Sequence, residues 1–302
     1  MFTSIRRLCS SVGRRRKTNT PELLFQRVKN YNDQFTSILQ EVGEGYRIQG
    51  NMVKHKGYDR AVKALTALPY KISSKEQAMT IPSIGKGIAE KIQIILDTNT
   101  LPQAEEMRND PELQKIRLFS RIHGVGPAQA KKWVSMGFQT LEDLQAVKLT
   151  KYQQLGLKYL EEFEQRIPRA EMDVINGILE RTLKELDSDI VSMVCGSYRR
   201  KLENSGDVDC IITHPTYTVD AKGNSNILKQ VVEMLEQQGL ITDRISLGKT
   251  KFMGVTQLNS ALAPEYPQDT YLHRRLDIRL IPQENYWCGT FLTLEIQDSY
   301  SP

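Results

Sequence analysis

The stretch CGSYRRKLENSGDVDCIITHP, residues 195–215, holds a Gly-Ser pair, two arginines and two aspartates one residue apart. The run VDCIITH near its end is rich in β-branched residues and predicts a strand. Alternate side chains of a strand point to one face, so Asp207 and Asp209 aim their carboxylates together while Val208 points into a core. Two like charges this close need a cation. Oxygen ligands without His or Cys favour Mg²⁺, or alternatively Mn²⁺, over zinc.

A third carboxylate completes the predicted site. Asp277 lies in RRLDIRLIP, residues 274–282, another β-rich run with apolar neighbours that would carry this side chain up beside the first pair. Three carboxylates can hold two metal ions roughly 3.5 to 4 Å apart, the arrangement used for in-line displacement at phosphorus. The sequence therefore predicts a two-metal site for phosphoryl transfer.

The residues before the aspartate pair suit the phosphates of a nucleotide. Gly196 and Ser197 follow a predicted strand and open a short helical turn that carries Arg199 and Arg200. Helix N-terminal N–H groups, a serine hydroxyl and a guanidinium together favour β- and γ-phosphates. A lone D-x-D is most often a pair of solvated surface carboxylates, but the preceding G-S-x-R-R makes this pattern specific.

The first half of the chain, residues 21–101, reads as helical. Apolar residues recur at helical spacing from Leu24 to Val42, and a second helix is predicted for YDRAVKALTAL before Pro69. Residues 47–91 contain nine Lys and Arg against three acids. A solvated helix surface accounts for such an excess, but it contrasts with the near-neutral balance of the chain after its first residues.

Two short stretches in this half resemble each other: IPSIGKGIAEKI, residues 81–92, and IHGVGPAQAKKW, residues 122–133. Glycines permit the positive φ of a tight hairpin, and the following helix offers N–H groups and a positive dipole end to a phosphate. A helix-hairpin-helix motif holds DNA in this way without reading bases. One such motif is often merely a turn, but two in succession predict DNA binding. The candidate contacts are Gly85, Lys86, Gly124 and Gly126.

Backbone carbonyls in the two hairpins offer a further possible site, for a monovalent cation such as Na⁺ or K⁺ beside the bound phosphate. The candidate carbonyls are those of Ile81, Ile84, Ser120, Ile122 and Val125.

Composition and charge narrow the class of protein. The chain has 302 residues, of which 39% are apolar, enough for two compact units with real cores. No apolar run approaches the roughly 18 residues of a membrane span, so no membrane partner is expected. The four cysteines are far apart and no His lies at zinc-ligand spacing, so neither a disulfide framework nor a zinc site is indicated.

The leader MFTSIRRLCSSVGRRRK, residues 1–17, carries six basic residues and no acid. This is the composition of a mitochondrial presequence, with a disordered basic tail or a nuclear address as the alternatives. Without it, 35 basic residues face 36 acidic ones, although the whole chain has a formal charge of +5. Any affinity for nucleic acid must therefore come from local patches.

The motifs GSYRR, SGDVD, TKFMGV and RRLDIRLIP, together with both hairpin stretches, are similar to those of a family X DNA polymerase. The resemblance covers residues 47–289. It implies a repair polymerase that acts as a monomer on gapped or nicked duplex DNA with dNTP as substrate. It also implies that Asp207 and Asp209 bind both metals and that Asp277 binds the one activating the primer 3′-hydroxyl. The residues that the resemblance assigns to the incoming dNTP are Arg166, Ser197, Arg200 and Gly206.

The fold class expected from the residues and the resemblance is α+β. An N-terminal all-helical lyase domain and a helix-hairpin-helix DNA-binding region precede a nucleotidyltransferase palm with a mixed β-sheet. The expected divisions are a presequence (1–17), a helical lyase domain with the first hairpin (18–106), a helical subdomain with the second hairpin (107–167), the palm (168–283) and a remnant of the nucleotide-selection subdomain (284–302).

The resemblance also implies a 5′-deoxyribose phosphate lyase whose Schiff-base lysine is Lys91, at the edge of an apolar helix face. Lys54 and Tyr58 match the family pattern for contacts with the DNA 5′-phosphate. Other positions depart from it, because Val53 stands where the family has His and Gly87 where it has a lysine. Altered 5′-phosphate contacts are therefore expected.

The chain also departs from the family after YWCG, where TFLTLEIQDSYSP follows in place of a T-G-S turn and a further subdomain. A truncated gene model or a spliced isoform would look like this. Two alternatives to a complete polymerase therefore remain. One is an isoform that binds gapped DNA or acts only as a lyase, with an inert polymerase site. The other is a nucleotidyltransferase for another acceptor, such as an RNA end.

Overall fold

The computed structural model describes residues 30–220, 226–267 and 271–286. The predicted presequence and most of residues 284–302 lie outside the described residues, as does the start of the first predicted helix. Along the described chain a helical half is followed by an α+β half, which confirms the predicted fold class.

The helical half consists of short helices joined by tight turns. The helices are α1 (Asp33–Ile48), α2 (Met52–Thr66), α3 (Lys75–Met79), α4 (Lys86–Thr98), α5 (Pro102–Asn109), α6 (Pro111–Ser120), α7 (Pro127–Ser135), a 3₁₀ turn (Glu142–Ala146), α8 (Lys151–Lys158) and α9 (Leu160–Glu164).

Apolar side chains at helical spacing build the core of this half. Phe35, Leu39 and Val42 of α1 are buried, as the periodicity predicts. One continuous apolar cluster extends from α1 to the 3₁₀ turn. The predicted division at residue 107 falls within α5, and Met107 itself belongs to this cluster.

A buried asparagine fixes the start of the first helix. The Asn32 side chain accepts a hydrogen bond from the Ile72 N–H at 2.9 Å and donates to the carbonyls of Leu65 and Tyr70. Asn32 is fully buried, so these bonds satisfy polar groups that water cannot reach. They tie the beginning of α1 to the turn between α2 and α3.

The second half is built on a mixed five-stranded sheet. Its elements are β1 (Ile167–Pro168), α10 (Arg169–Leu186), β2 (Val191–Val194), α11 (Gly196–Arg199), β3 (Asn204–Ser205), β4 (Val208–Thr213), α12 (Ile227–Gln237), β5 (Ile241–Leu247), β6 (Lys251–Thr256), β7 (Arg274–Leu280) and a 3₁₀ turn (Gln283–Asn285). The strand order is β2-β4-β7-β6-β5, and only β4 and β7 run parallel. β1 and β3 form a separate ladder.

The two faces of β4 have different surroundings. Val208, Cys210 and Ile212 point into the apolar cluster that also receives buried residues of α10 and α12. By strand alternation, the carboxylates of Asp207 and Asp209 lie on the opposite face. The sequence did not predict β5, because ITDRISL is largely polar and only partly buried. β5 forms the outer strand of the sheet, where such a composition is tolerated.

Polar contacts join the sheet both to α10 and to the end of the helical half. The Arg274 guanidinium on β7 forms two hydrogen bonds with the Glu171 carboxylate on α10, at 2.7 and 2.8 Å. It also donates to the Gln165 carbonyl at 3.0 Å. Tyr159, between α8 and α9, stacks on His273, and its hydroxyl donates a hydrogen bond to Asp243 at 2.7 Å. In the described part of the chain, no helix has the length and apolarity needed to cross a membrane.

Candidate active site

Strand pairing brings the three predicted carboxylates together. β4 and β7 pair in parallel with Asp209 directly opposite Asp277. Asp207 lies just before β4 and two residues from Asp209, so its side chain points to the same face. Asp207, Asp209 and Asp277 are called the carboxylate triad below. Residues separated by about 70 positions in sequence therefore meet on one face of the sheet.

The electrostatics of the triad reflect its crowding. Burial, followed by the negative charges of Asp209 and Asp277, raises the pKa of Asp207 to about 6. Arg275 and Arg166 lower it only in part. Three acids thus share a small, half-buried region that favours added positive charge.

Two basic residues that sequence reasoning missed contact the third acid. The Asp277 carboxylate pairs with Arg275 through Oδ1 and with Lys251 through Oδ2, the latter at 3.2 Å. Arg275 lies two residues before Asp277 and shares its face, which is a signal the alternation rule could have identified. Lys251 comes from the neighbouring strand β6, so only the strand order reveals it.

The short helical turn predicted at Gly196 and Ser197 is present, and its role in phosphate binding stays a prediction. Gly196 adopts a φ of 61° and begins α11, a single short helix that ends at Arg199. Its left-handed backbone explains why glycine occupies this position. The Nη1 atom of Arg200 is buried without a hydrogen-bond partner among the described residues. Ser197 is half-buried at the same turn.

Arg166 and Gly206 lie side by side next to the triad. The Arg166 Nε donates to the Asn204 side chain at 2.9 Å, because the β1–β3 ladder aligns Ile167 with Ser205. A Cβ on Gly206 would come within 3.0 Å of Arg166 Nη1. The glycine therefore allows this guanidinium to approach the backbone just before Asp207.

The two hairpins have the same backbone design. The Ile84 N–H donates to the Ile81 carbonyl at 3.1 Å, and the Val125 N–H donates to the Ile122 carbonyl at 2.9 Å. Each carbonyl keeps a second lone pair. The cation sites predicted at Ile81, Ile84, Ser120, Ile122 and Val125 stay a prediction.

The position of the left-handed residue in the first hairpin differs from the expectation. Positive φ occurs at Ser83, 79°, and at Gly124, 89°, which occupy equivalent places in the two motifs. Gly85 and Gly126 are instead extended N-cap residues of α4 and α7. Glycine is therefore not required for the left-handed turn of the first hairpin.

The starts of the two helices after the hairpins are open. Neither Gly85 nor Gly126 supplies a side-chain cap, and a Cβ on either would have no neighbour within 4 Å. The first N–H groups of a helix lack intrahelical partners, so these ends can receive an anion. Lys86 is exposed at the start of α4.

The predicted lyase residues lie on α2 and α4. Lys91 is half-buried on α4, beside the buried Ile92. The ammonium of Lys54 is 4.5 Å from the centre of the Tyr46 ring and 3.3 Å from its hydroxyl oxygen. Tyr58 is buried, and burial followed by the proximity of Tyr46 raises its pKa to about 12.

A half-buried histidine links the second hairpin to the triad. His123 packs edge-to-face against Tyr152 and Phe163, with ring centres 5.1 and 5.9 Å apart. Burial, followed by the charge of Arg275, lowers the pKa of His123 to about 4, while Asp277 opposes this shift. The second hairpin thus lies close to the acids on the sheet. Sequence reasoning did not find this contact.

Comparisons with known proteins agree with this arrangement. Residues 166–283 match the protein-family model described as the DNA polymerase beta palm. Residues 117–164 match the fingers domain of DNA polymerase lambda, and residues 30–101 match a helix-hairpin-helix domain. The chain belongs to family X of the DNA polymerases. The family resemblance of the motifs is thereby confirmed.

Curated relatives include proteins named DNA polymerase lambda. The rat protein is 32% identical over 270 residues, which cover 87% of this chain and 45% of the relative. The Arabidopsis thaliana protein is 32% identical over 264 residues, which cover 85% of this chain and 48% of the relative. This family X chain therefore spans less than half the length of the curated relatives it matches.

Proposed function

We propose that this chain is a DNA-directed DNA polymerase of base-excision repair, which adds deoxynucleotides to the primer 3′-hydroxyl of gapped or nicked duplex DNA. The pairing of Asp209 with Asp277 beside Asp207 carries the proposal. The relatives named DNA polymerase lambda support the same class of reaction.

The donor set of the triad fits two Mg²⁺ ions, with Mn²⁺ as a substitute. All three side chains offer oxygen only, which suits hard cations. Burial, followed by the negative charges of Asp209 and Asp277, raises the pKa of Asp207, and bound cations would offset both effects. Bound there, the ions would supply charge stabilisation at the reacting phosphorus and would make the attacking hydroxyl more acidic.

Residues around the triad would hold the incoming triphosphate. Arg200 has a buried Nη1 donor without a protein partner among the described residues, and Ser197 lies on the same turn. Arg166 and Gly206 flank Asp207. A charge-assisted contact with a phosphate would satisfy the buried guanidinium.

The two hairpins would hold the DNA backbone. Their uncapped helix starts each offer N–H groups to a phosphate, and exposed Lys86 adds charge at the first one. Such contacts carry no base information, so binding should be independent of sequence and weaken with salt. The presence of two such hairpins favours duplex DNA over other acceptors of nucleotidyl transfer.

Primer extension tests the polymerase proposal. The purified chain, with Mg²⁺ and dNTP, is expected to extend a primer across a one-nucleotide gap in DNA, and Asp209→Asn should abolish extension. A parallel reaction with single-stranded RNA identifies the alternative acceptor. Extension of RNA but not of gapped DNA would contradict the proposal, as would the absence of extension on both.

We also propose a 5′-deoxyribose phosphate lyase activity through Lys91. The lysine is half-buried on α4, directly after the first hairpin, near where the proposal puts the DNA backbone. Its neutral amine would add to the sugar aldehyde and expel water to form an imine. Removal of a proton from the sugar carbon next to the imine would then break the C–O bond to the downstream phosphate, which leaves.

Borohydride trapping tests this second activity. Reduction of the imine should link the chain covalently to DNA with a 5′-deoxyribose phosphate, and Lys91→Ala should abolish the link. Lys71, an exposed lysine of the same helical half, provides the matched control as Lys71→Ala. Equal trapping of the Lys91 variant and the control would refute the assignment. Trapping without primer extension would favour a lyase-only role.

A further inference from the structure

Three potential metal ligands converge at the end of the sheet opposite to the carboxylate triad. Asp187 and Asp189 lie in the turn between α10 and β2, and His214 follows β4. One ligand atom from each lies within 4.8 Å of the others. These residues are called the Asp-Asp-His cluster below. His214 lies five positions after Asp209 along extended chain, about 17 Å at 3.3 Å per residue, so the cluster is separate from the triad.

The imidazole of His214 is directed into the cluster. The residue is 8% exposed, and its Nε2 is buried without a hydrogen-bond partner among the described residues. Nε2 nevertheless lies 3.1 Å from Asp187 Oδ2. The two atoms are close together, but their relative orientation is not that of a hydrogen bond. Two ligand atoms of a tetrahedral ion with 2.0 to 2.1 Å bonds would lie about 3.3 Å apart, close to this separation.

The other nitrogen of the ring can orient it for metal binding. His214 Nδ1 lies 2.7 Å from Thr216 Oγ1. A proton on Nδ1, donated to this hydroxyl, leaves the Nε2 lone pair free for a metal and fixes the ring. The opposite tautomer accepts the Thr216 N–H at 3.1 Å and places a proton on Nε2, which gives a His–Asp pair without a metal. The first tautomer therefore predicts metal binding by Nε2, and the second predicts none.

The aspartates are poorly placed for stability without a cation. Asp187 caps the C-terminus of α10, where the helix dipole is negative, and Asp189 follows two residues later. Asp187 Oδ1 accepts the Asp189 N–H at 2.9 Å, which leaves Oδ2 directed at His214. Lys184 in the last turn of α10 compensates part of the negative charge. A divalent cation would compensate more of it.

We propose that Asp187, Asp189 and His214 bind a divalent transition-metal ion of the zinc type, which joins the turn after α10 to the end of β4. A nitrogen ligand favours such an ion over Mg²⁺. Water would complete the coordination of three protein ligands. The role is structural, and the proposal does not depend on the proposed polymerase function.

Zinc titration of the intact, EDTA-treated chain tests the proposal. Calorimetry is performed with excess Mg²⁺, which competes for oxygen-only sites but poorly for a site with imidazole. We expect the wild type to bind one zinc ion per chain. His214→Gln should lower the affinity for zinc by about 100-fold or more. His273→Gln is the matched control, because His273 Nδ1 also contacts a carboxylate, Glu162, at 2.9 Å, without forming part of the Asp-Asp-His cluster. Zinc should raise the Tm of the wild type and this control only.

Three outcomes would overturn the proposal. The wild type could bind no zinc, as the His–Asp pair predicts. His214→Gln could bind zinc as tightly as the wild type. The bound zinc could be lost in Asp277→Asn but kept in His214→Gln, which would place the ion in the triad. If circular dichroism shows that His214→Gln does not fold in EDTA, Asp189→Asn replaces it, with the same expected loss of zinc binding.

Discussion

Replacing Asp207 by asparagine is expected to stabilise the metal-free chain. Burial, followed by the charges of Asp209 and Asp277, raises the pKa of Asp207 from 3.8 to about 6. The folded chain therefore holds this proton more tightly than the unfolded chain. Ionisation of Asp207 favours unfolding as the pH rises from 3.8 through about 6. Asparagine keeps the shape of the side chain and removes the charge.

The magnitude follows from the difference between the two pKa values. A shift of about 2 units corresponds to about 3 kcal/mol at neutral pH, where both states are ionised. At about pH 5 the folded carboxyl is still largely protonated, and the same values give about half as much. The gain in the free energy of unfolding from Asp207→Asn should therefore be larger at neutral pH than at pH 5.

Urea unfolding in EDTA, followed by circular dichroism at both pH values, measures this gain. Asp97→Asn, at an exposed carboxylate of α4, should change the free energy of unfolding by less than about 0.5 kcal/mol. Added Mg²⁺ should stabilise the wild type more than Asp207→Asn, because the variant has lost a ligand. A loss of stability in Asp207→Asn at neutral pH, or a gain independent of pH, would refute the electrostatic account of the triad.

Two further substitutions, the first with a matched control, test the packing of the fold. Gly124→Ala should lower the free energy of unfolding by about 2 to 4 kcal/mol, because φ is 89° and the new Cβ would lie 2.9 Å from the Tyr152 ring. Gly126→Ala, which meets open space, should cost less than about 0.5 kcal/mol, and similar urea midpoints for both variants would contradict this. Glu171→Gln should cost about 3 to 5 kcal/mol, since it leaves the buried Arg274 charge unpaired. A loss below about 1 kcal/mol in urea unfolding would show that this ion pair is not needed.

The sequence was sufficient for the local parts of the site. The alternation of Asp207 and Asp209 predicts their shared face, and the glycine before Ser197 predicts the turn that α11 forms. It also predicts the strand of Asp277 as a β-rich run. These features depend on neighbouring residues, so a short window of sequence contains their physical cause.

Contacts between elements far apart in the chain could not be predicted from short windows of sequence. The parallel register that opposes Asp209 and Asp277 is a property of the strand order. Lys251 reaches Asp277 from β6 for the same reason. His123 approaches the triad only because the second hairpin packs near the sheet. The Asp-Asp-His cluster was missed because its ligands occupy segments far apart in the chain, outside any short metal-binding motif.

Two further differences between the sequence-based predictions and the structure concern β5 and the first hairpin. β5 is an outer strand with a largely polar sequence, so the hydrophobic pattern did not identify it. Ser83 has a positive φ in a hairpin where glycine was expected to supply it. A residue in this conformation costs about 1 to 2 kcal/mol, which the packing around the hairpin must offset.

Single-turnover incorporation of one dNTP into gapped DNA, with Mg²⁺, tests the central claim most directly. Asp277→Asn removes one charge from the triad while keeping the size of the side chain. The account predicts that the rate at saturating dNTP falls by about 100-fold or more, while the Kd for gapped DNA stays within about twofold. Incorporation by Asp277→Asn at the wild-type rate would contradict the assignment of the triad as the nucleotidyl-transfer site.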